Sequence, residues 1–165
     1  MPEARAEYRT PKTRHRHMSK SQLDSGLRVF VYRRMIRTGR CPTVADMAKA
    51  FKSSTKTILS TLSRLSESHA FMQQENGELW RVAPFSAIPT PFPVTIGNRS
   101  WFGNCIWDAL GIPAMLSKDA RIDASCGCCN LAMPVEICKG KLLATRGIIH
   151  IAVPACEWYK DVAFT

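Results

Sequence analysis

The sequence contains no apolar run long enough to cross a membrane, and no apolar N-terminal stretch followed by a small-residue cleavage site. The first absence excludes a membrane-spanning helix, and the second argues against a secretory signal, so a cytoplasmic protein is expected. Acidic residues are few: 13 Asp+Glu stand against 23 Lys+Arg, for a net charge of +10. Histidine is scarce as well, with four in 165 residues. The seven cysteines are an odd number, which fits a disulfide framework poorly. In a reducing cytosol they are expected as free thiols that are buried, reactive or metal-binding.

Hydrophobic residues make up 45% of the chain, enough for a core in one ordinary domain or two small ones. The charge is uneven. Residues 1–82 hold 16 Lys+Arg against 7 Asp+Glu, so nearly all of the excess lies in the first half. Residues 1–20 are basic, lack a core-forming pattern and read as a disordered arm. His15 and His17 in "TRHRH" are metal-ligand types, but they sit in this charge run.

Residues 21–83 read as a winged helix-turn-helix domain. Leu27, Phe30, Val31, Arg34 and Met35 lie near helical spacing, with Gly39 placed as a stop. Thr43 and Asp46 have the spacing of a capping box at the start of a second helix. Ile58, Leu59, Leu62 and Leu65 form the stripe of a third helix, which Ser53 or Ser54 can cap. "FMQQENGELWRV" then reads as strand, turn, strand, with Asn76-Gly77 at the tip. The polar face of the third helix offers Lys52, Lys56, Thr57, Ser60, Ser63 and Arg64 as a DNA-facing surface. Those side chains suit phosphate contacts but are thin for base readout. The other reading is a helical domain that only packs on its neighbour.

Pro84, Pro89, Pro91 and Pro93 mark residues 84–94 as a proline-rich linker. Residues 95–165 then read as a small mixed α/β domain, giving an α+β protein as a whole. "RSWFGNCIWDALGIPAMLS" is expected as a helix capped by Asn104 and ended or kinked around Gly111 and Pro113. "RIDASC", "MPVEICKG", "KLLATRG" and "IIHIAVP" are expected as short strands. Trp158 and Tyr159 are expected in the core or at its rim.

On such a helix Cys105 and Asp108 are at i and i+3 and share a face. Trp101, Phe102, Ile106, Trp107 and Leu110 would keep that face partly dry. An apolar setting disfavours the charged carboxylate, so Asp108 is expected to hold a proton more readily than usual. A carboxylate gives a thiol no help as a nucleophile. A soft metal reverses this, because it deprotonates the thiol outright. His150 is the nearest histidine in the second half that folding would have to bring to the thiol. From spacing alone, a small core cysteine beside a surface acid remains open.

"W" at Trp101, "CIWD" from Cys105 to Asp108, "ALGIPAML" to Leu116 and "ARIDASC" to Cys126, followed by "MPVEI" and "GIIHIAVP", resemble the organomercurial (alkylmercury) lyases. The resemblance covers roughly the second half, and that family carries a winged-helix-like domain ahead of it. It implies that Cys105 is a thiolate ligand of the mercury in R–Hg⁺ and that Asp108 passes a proton to the departing carbon. The products would be R–H and Hg(II), with small thiols as partners and no organic cofactor. The family pattern places a second essential cysteine just after a segment like "EWYKDVAFT". The given sequence ends there, at Thr165. On that reading the second domain is incomplete, less stable or dimerising, and cleavage is impaired. Cys156 is the thiol in position to substitute.

"CGCCNLAMPVEIC" holds Cys126, Cys128, Cys129 and Cys138. Cys126 and Cys129 have zinc-knuckle spacing, and the Cys126–Cys138 cluster is a candidate for zinc or for mercury capture. A plain turn with incidental cysteines is the alternative. Two other functional classes stay open: a winged-helix DNA-binding regulator whose cysteine-rich half senses a soft metal, and a zinc-stabilised interaction module.

Overall fold

Ser19 begins the first helix by accepting a hydrogen bond from the Gln22 amide, while the Gln22 side chain accepts one from the Ser19 amide. The computed structural model describes residues 18–69, 71–143, 147–151, 153–158 and 160. The basic arm up to His17, with His15, and Tyr159 lie outside the described residues. Helix α1 spans Lys20–Thr38 and buries Leu23, Leu27, Val31 and Met35, a stripe at four-residue spacing. Gly39 ends it in the left-handed region (φ 69°), donating its amide to the Met35 carbonyl. Helix α2, Val44–Phe51, starts with the Thr43–Asp46 capping box. Helix α3, Thr55–Glu67, is capped by Ser54 rather than Ser53. Arg64 is tied to Asp24 on α1 at 2.5 Å, so this cation of the supposed DNA-facing surface is already engaged.

Among the described residues eight strands follow: β1 Phe71–Gln73, β2 Leu79–Val82, β3 Phe85–Ser86, β4 Pro93–Ile96, β5 Arg99–Gly103, β6 Ala120–Ile122, β7 Val135–Cys138 and β8 Lys141–Leu142. They form one antiparallel sheet of order β1-β2-β3-β5-β4-β6-β7-β8. The fold is α+β. The stretch 84–94, read from sequence as a linker, holds β3 and the first residues of β4. Phe85 pairs with Val82 on one side and Gly103 on the other, and Ser86 with Arg81 and Phe102. Thr90 donates its hydroxyl to the Gly103 carbonyl at 2.6 Å, which holds the loop between β3 and β4 against β5. The two halves of the chain therefore share a sheet.

Two expectations are corrected here. Residues 99–103 are strand, not helix: Gly97 (φ 59°) turns the chain so that β5 doubles back on β4, with Val94 opposite Trp101. The helix that follows, α4, spans Ile106–Leu116 and runs through both Gly111 and Pro113. It stops at Ser117, which takes a left-handed conformation (φ 51°). Of the strands expected near the C-terminus, the described residues of "KLLATRG" form one at Lys141–Leu142, and the described residues of "IIHIAVP" form none. Trp158 follows a short 3-10 turn, Ala155–Glu157, and donates its indole N–H to the Val153 carbonyl.

A single core draws on both halves. Leu27, Met35, Met47, Ile58 and Leu62 from the helices join Phe71, Val82, Phe85, Val94, Trp101, Ile112 and Ile122. Trp101 is the rivet. Its indole N–H donates to the Met35 carbonyl at 2.8 Å, and its ring lies 6.5 Å from that of Phe85. Nearby, the Tyr32 hydroxyl donates to the Ala83 carbonyl at 2.7 Å. Replacing Trp101 by Ala removes both packing and hydrogen bond, at a cost of about 3–5 kcal/mol. Urea unfolding followed by helix signal and by tryptophan emission will show both halves losing stability together in Trp101→Ala.

Candidate active site

The site forms where β5 gives way to α4. Gly103 is the last residue of β5, and its bare Cα lets the helix come close: a Cβ there would lie 2.5 Å from the Ala109 amide nitrogen and 2.8 Å from its Cβ. This contact places the first turn of α4 directly against the sheet. Cys105, not Asn104, is the N-cap, with extended backbone (φ −143°, ψ −178°). Its carbonyl takes the first helical hydrogen bond, from the Ala109 amide at 2.9 Å. Its half-buried thiol makes no capping bond, so the sulfur is not engaged by the helix it begins.

Asp108 is then the third residue of the helix. The N-cap and third positions are those whose side chains meet in a capping box. Here the carboxylate turns to other partners. Its Oδ2 accepts from the Asn104 side-chain amide at 2.8 Å and lies 3.8 Å from an Arg81 guanidinium nitrogen. Asn104 is itself fixed by the Pro84 and Phe85 carbonyls, at 3.3 and 3.2 Å. Arg81 comes from β2, and the side chains of Arg81 and Asp108 are only 14% and 13% exposed. Two guanidinium nitrogens of Arg81, Nε and Nη1, and the Asn104 Oδ1 are buried with no partner among the described residues. These polar atoms line the surroundings of the Asp108 carboxyl.

Opposing effects set the protonation of Asp108. Burial raises its pKa, while the Asn104 hydrogen bond and the Arg81 charge lower it. Burial prevails and the pKa is raised, because at 3.8 Å the ion pair is too loose to offset the loss of water. Tyr32 on α1 belongs to the same electrostatic neighbourhood. Burial raises its pKa, Arg28 and Arg81 pull it down, and Asp108 pushes it up.

Sequence reasoning expected Trp107 to keep this region dry, but it is 58% exposed. Trp101 faces the core, and the shelter around Asp108 comes from Asn104, Arg81 and the β3 backbone. Arg81 and Tyr32 were missed. Nothing in the local pattern separates Arg81 from the general basic excess of the first half.

The remaining cysteines stand on other elements. Cys156 is exposed on the 3-10 turn, with its sulfur 3.9 Å from Glu157, and no hydrogen bond links it to Cys105. Cys138, on β7, donates to Asp119 at 3.7 Å, and the nearby Asp119 charge raises its pKa. The sulfurs of Cys126, Cys128 and Cys129 all lie within 4.8 Å of one another. Hydrogen bonds from Cys128, with further ones from Cys129, bring the Cys126 thiol down to about 6. Cys41 is the opposite case: burial, then Glu78, pushes it up to about 12.

The proton-bearing form of Asp108 is full at low pH and is lost as pH rises through the raised pKa. A carbon-detected NMR titration of its carboxyl will find a midpoint above the ordinary aspartate value. Arg81→Gln deletes a neighbouring cation and will move that midpoint further up.

Known proteins resemble the chain both in sequence and in fold. The alkylmercury lyase family model matches residues 85–165. The crystal structure of the mercury-bound form of MerB2 is similar in fold, with a TM-score of 0.56 and 22% identity, over 76% of this chain. The match covers 66% of that protein's length, just short of two thirds. No curated protein sequence matches the chain. The family match starts at Phe85, so Cys105, Asp108 and Asn104 fall inside it while Arg81 and Tyr32 lie ahead of it.

Proposed function

The chain belongs, through residues 85–165, to the alkylmercury lyase family, and from that premise we propose that it cleaves the carbon–mercury bond of R–Hg⁺ by protonation. The observation that carries this reading is the placement of a free thiol and a largely buried carboxyl, its pKa raised by that burial, at the N-cap and third positions of one helix.

Mercury is soft and prefers thiolate sulfur. The Cys105 thiol gives up its proton as its sulfur bonds to the mercury of R–Hg⁺. A second thiolate, from Cys156 or from a small thiol, adds electron density and makes the mercury-bound carbon more basic. Asp108 in its acid form then donates its proton to that carbon. The electron pair of the Hg–C bond becomes the new C–H bond, R–H departs, and Hg(II) stays on sulfur. Asp108 is left as the carboxylate, with Arg81 and the Asn104 amide on hand to stabilise the charge it has gained. No organic cofactor enters, and the thiols call for a reducing compartment such as the cytosol. The three helices and hairpin have the order of a winged helix. We read them as a wall of the site rather than a DNA reader, because Arg64 is taken up by Asp24 and Arg81 by Asp108.

The test is turnover of phenylmercury by the purified chain in excess small thiol, with benzene measured in the headspace. Cys105→Ser is expected to abolish release, and Asp108→Ala to reduce it by roughly 10²–10⁴-fold, the usual worth of a positioned acid. Release that survives Cys105→Ser removes this residue from the reaction. Loss of release in Cys156→Ser identifies Cys156 as the second ligand; unchanged release assigns that place to the small thiol.

A further inference from the structure

The β6–β7 hairpin has an unusual tip. Beyond Ile122, paired with Val135, the chain continues through a bridge between Ser125 and Ala132 and a bond from the Met133 amide to the Ala124 carbonyl. The loop is closed from both sides. The Cys126 amide donates to the Leu131 carbonyl, and the Asn130 amide donates to the Cys126 carbonyl, each at 2.8 Å. Asn130 takes the left-handed conformation needed to close so tight a turn (φ 55°). Within this frame stand Cys126, Cys128 and Cys129.

Their spacing is what a metal ion asks for. The three sulfurs lie within 4.8 Å of one another, with Cys126 and Cys128 at 3.1 Å. Thiolates held about 2.3 Å from one ion sit about 3.8–4.0 Å apart, so small rotations of the side chains complete the set. No histidine or carboxylate joins the group among the described residues. Cys138 is not part of it, because β7 carries that residue to the other end of the hairpin, against Asp119. Three soft donors without a hard fourth select a thiophilic ion of low coordination number over magnesium, calcium or a closed tetrahedral zinc site. Cys128 and Cys129 are exposed and Cys126 is half-buried, so an ion can load without the fold opening.

We propose that Cys126, Cys128 and Cys129 form a three-sulfur site that takes one thiophilic ion from solution or from the reacting cysteine. Resting on the lyase reading above, that ion is the Hg(II) left after R–H departs. Capture is ligand exchange. Each thiol releases its proton to solvent as its sulfur bonds to mercury, the Cys105 thiolate and the second thiolate on the ion are both freed as their Hg–S bonds break, and no electrons change hands.

The test uses the full chain carrying Cys105→Ser, kept reduced with a phosphine. Mercuric chloride is added in the presence of a large excess of a small monothiol, which strips mercury from single cysteines. Retained metal is counted after desalting, and mercury X-ray absorption gives the number of sulfur neighbours. One mercury per chain with three sulfur neighbours is expected. Cys128→Ser, at an exposed position with no role in the turn's backbone bonds, should lower retention at least tenfold. The triple Ser variant should retain none while keeping its circular dichroism spectrum. Retention unchanged in the triple variant, or two-sulfur coordination, overturns the proposal. So does zinc chloride filling the site one to one and resisting displacement by mercury. Because the thiol of Cys105 is absent here, failure of benzene release in the turnover assay leaves this result standing and removes only the link to product.

Discussion

Phe85 and Ser86 form only two residues of strand, yet their backbone pairs with β2 on one edge and with β5 on the other. Without that row the hairpin of the first half and the five-strand group β5-β4-β6-β7-β8 would each end in an unpaired edge. With it, Arg81 of β2 is carried to within ion-pair distance of Asp108 on α4, and Asn104 finds the Pro84 and Phe85 carbonyls. The indole bond from Trp101 to Met35 then seals the helices against the same sheet. The positions of Arg81, Asn104 and Asp108 follow from this junction.

Much of the first half was legible because its signals are local. The Thr43–Asp46 box, the Gly39 stop and the Ile58–Leu62 stripe depend on neighbours within four residues. The junction was not legible. Strand β3 is too short for a periodicity, and the prolines around it read as a break in structure although they stand at a strand edge and in loops. The stretch from Trp101 to Leu116 is apolar almost throughout, so neither period 2 nor period 3.6 separates strand from helix. The change at Gly103 is imposed by the close approach of Ala109. At the site, sequence singled out Cys105 and Asp108, and they stand at the first turn of one helix. It did not offer Arg81, because a partner 27 residues away is chosen by sheet order and not by spacing. The cysteine-rich stretch shows the same limit. Sequence grouped Cys126, Cys128, Cys129 and Cys138, whereas the hairpin keeps the first three together and sets Cys138 against Asp119.

The electrostatics of Asp108 illustrate how a buried acid is tuned. A tight pairing with Arg81 would lower its pKa and leave it a poor donor. Complete isolation would raise it so far that the anion formed on donation would be costly. The loose 3.8 Å contact lies between these limits, with two unpaired guanidinium nitrogens close by. Burial raises the pKa of Asp108, while the Asn104 hydrogen bond and the Arg81 charge oppose that rise.

The shared sheet also bears on heredity. Protein halves that meet only through a flexible tether can be shuffled between genes, each folding in its new company. A crossover falling among the prolines of this chain would part Phe85 from Val82 or from Gly103, depending on which side of β3 it fell, and leave backbone unpaired on both offspring. The shared sheet therefore favours the helical half and the thiol-bearing half travelling as one inheritance.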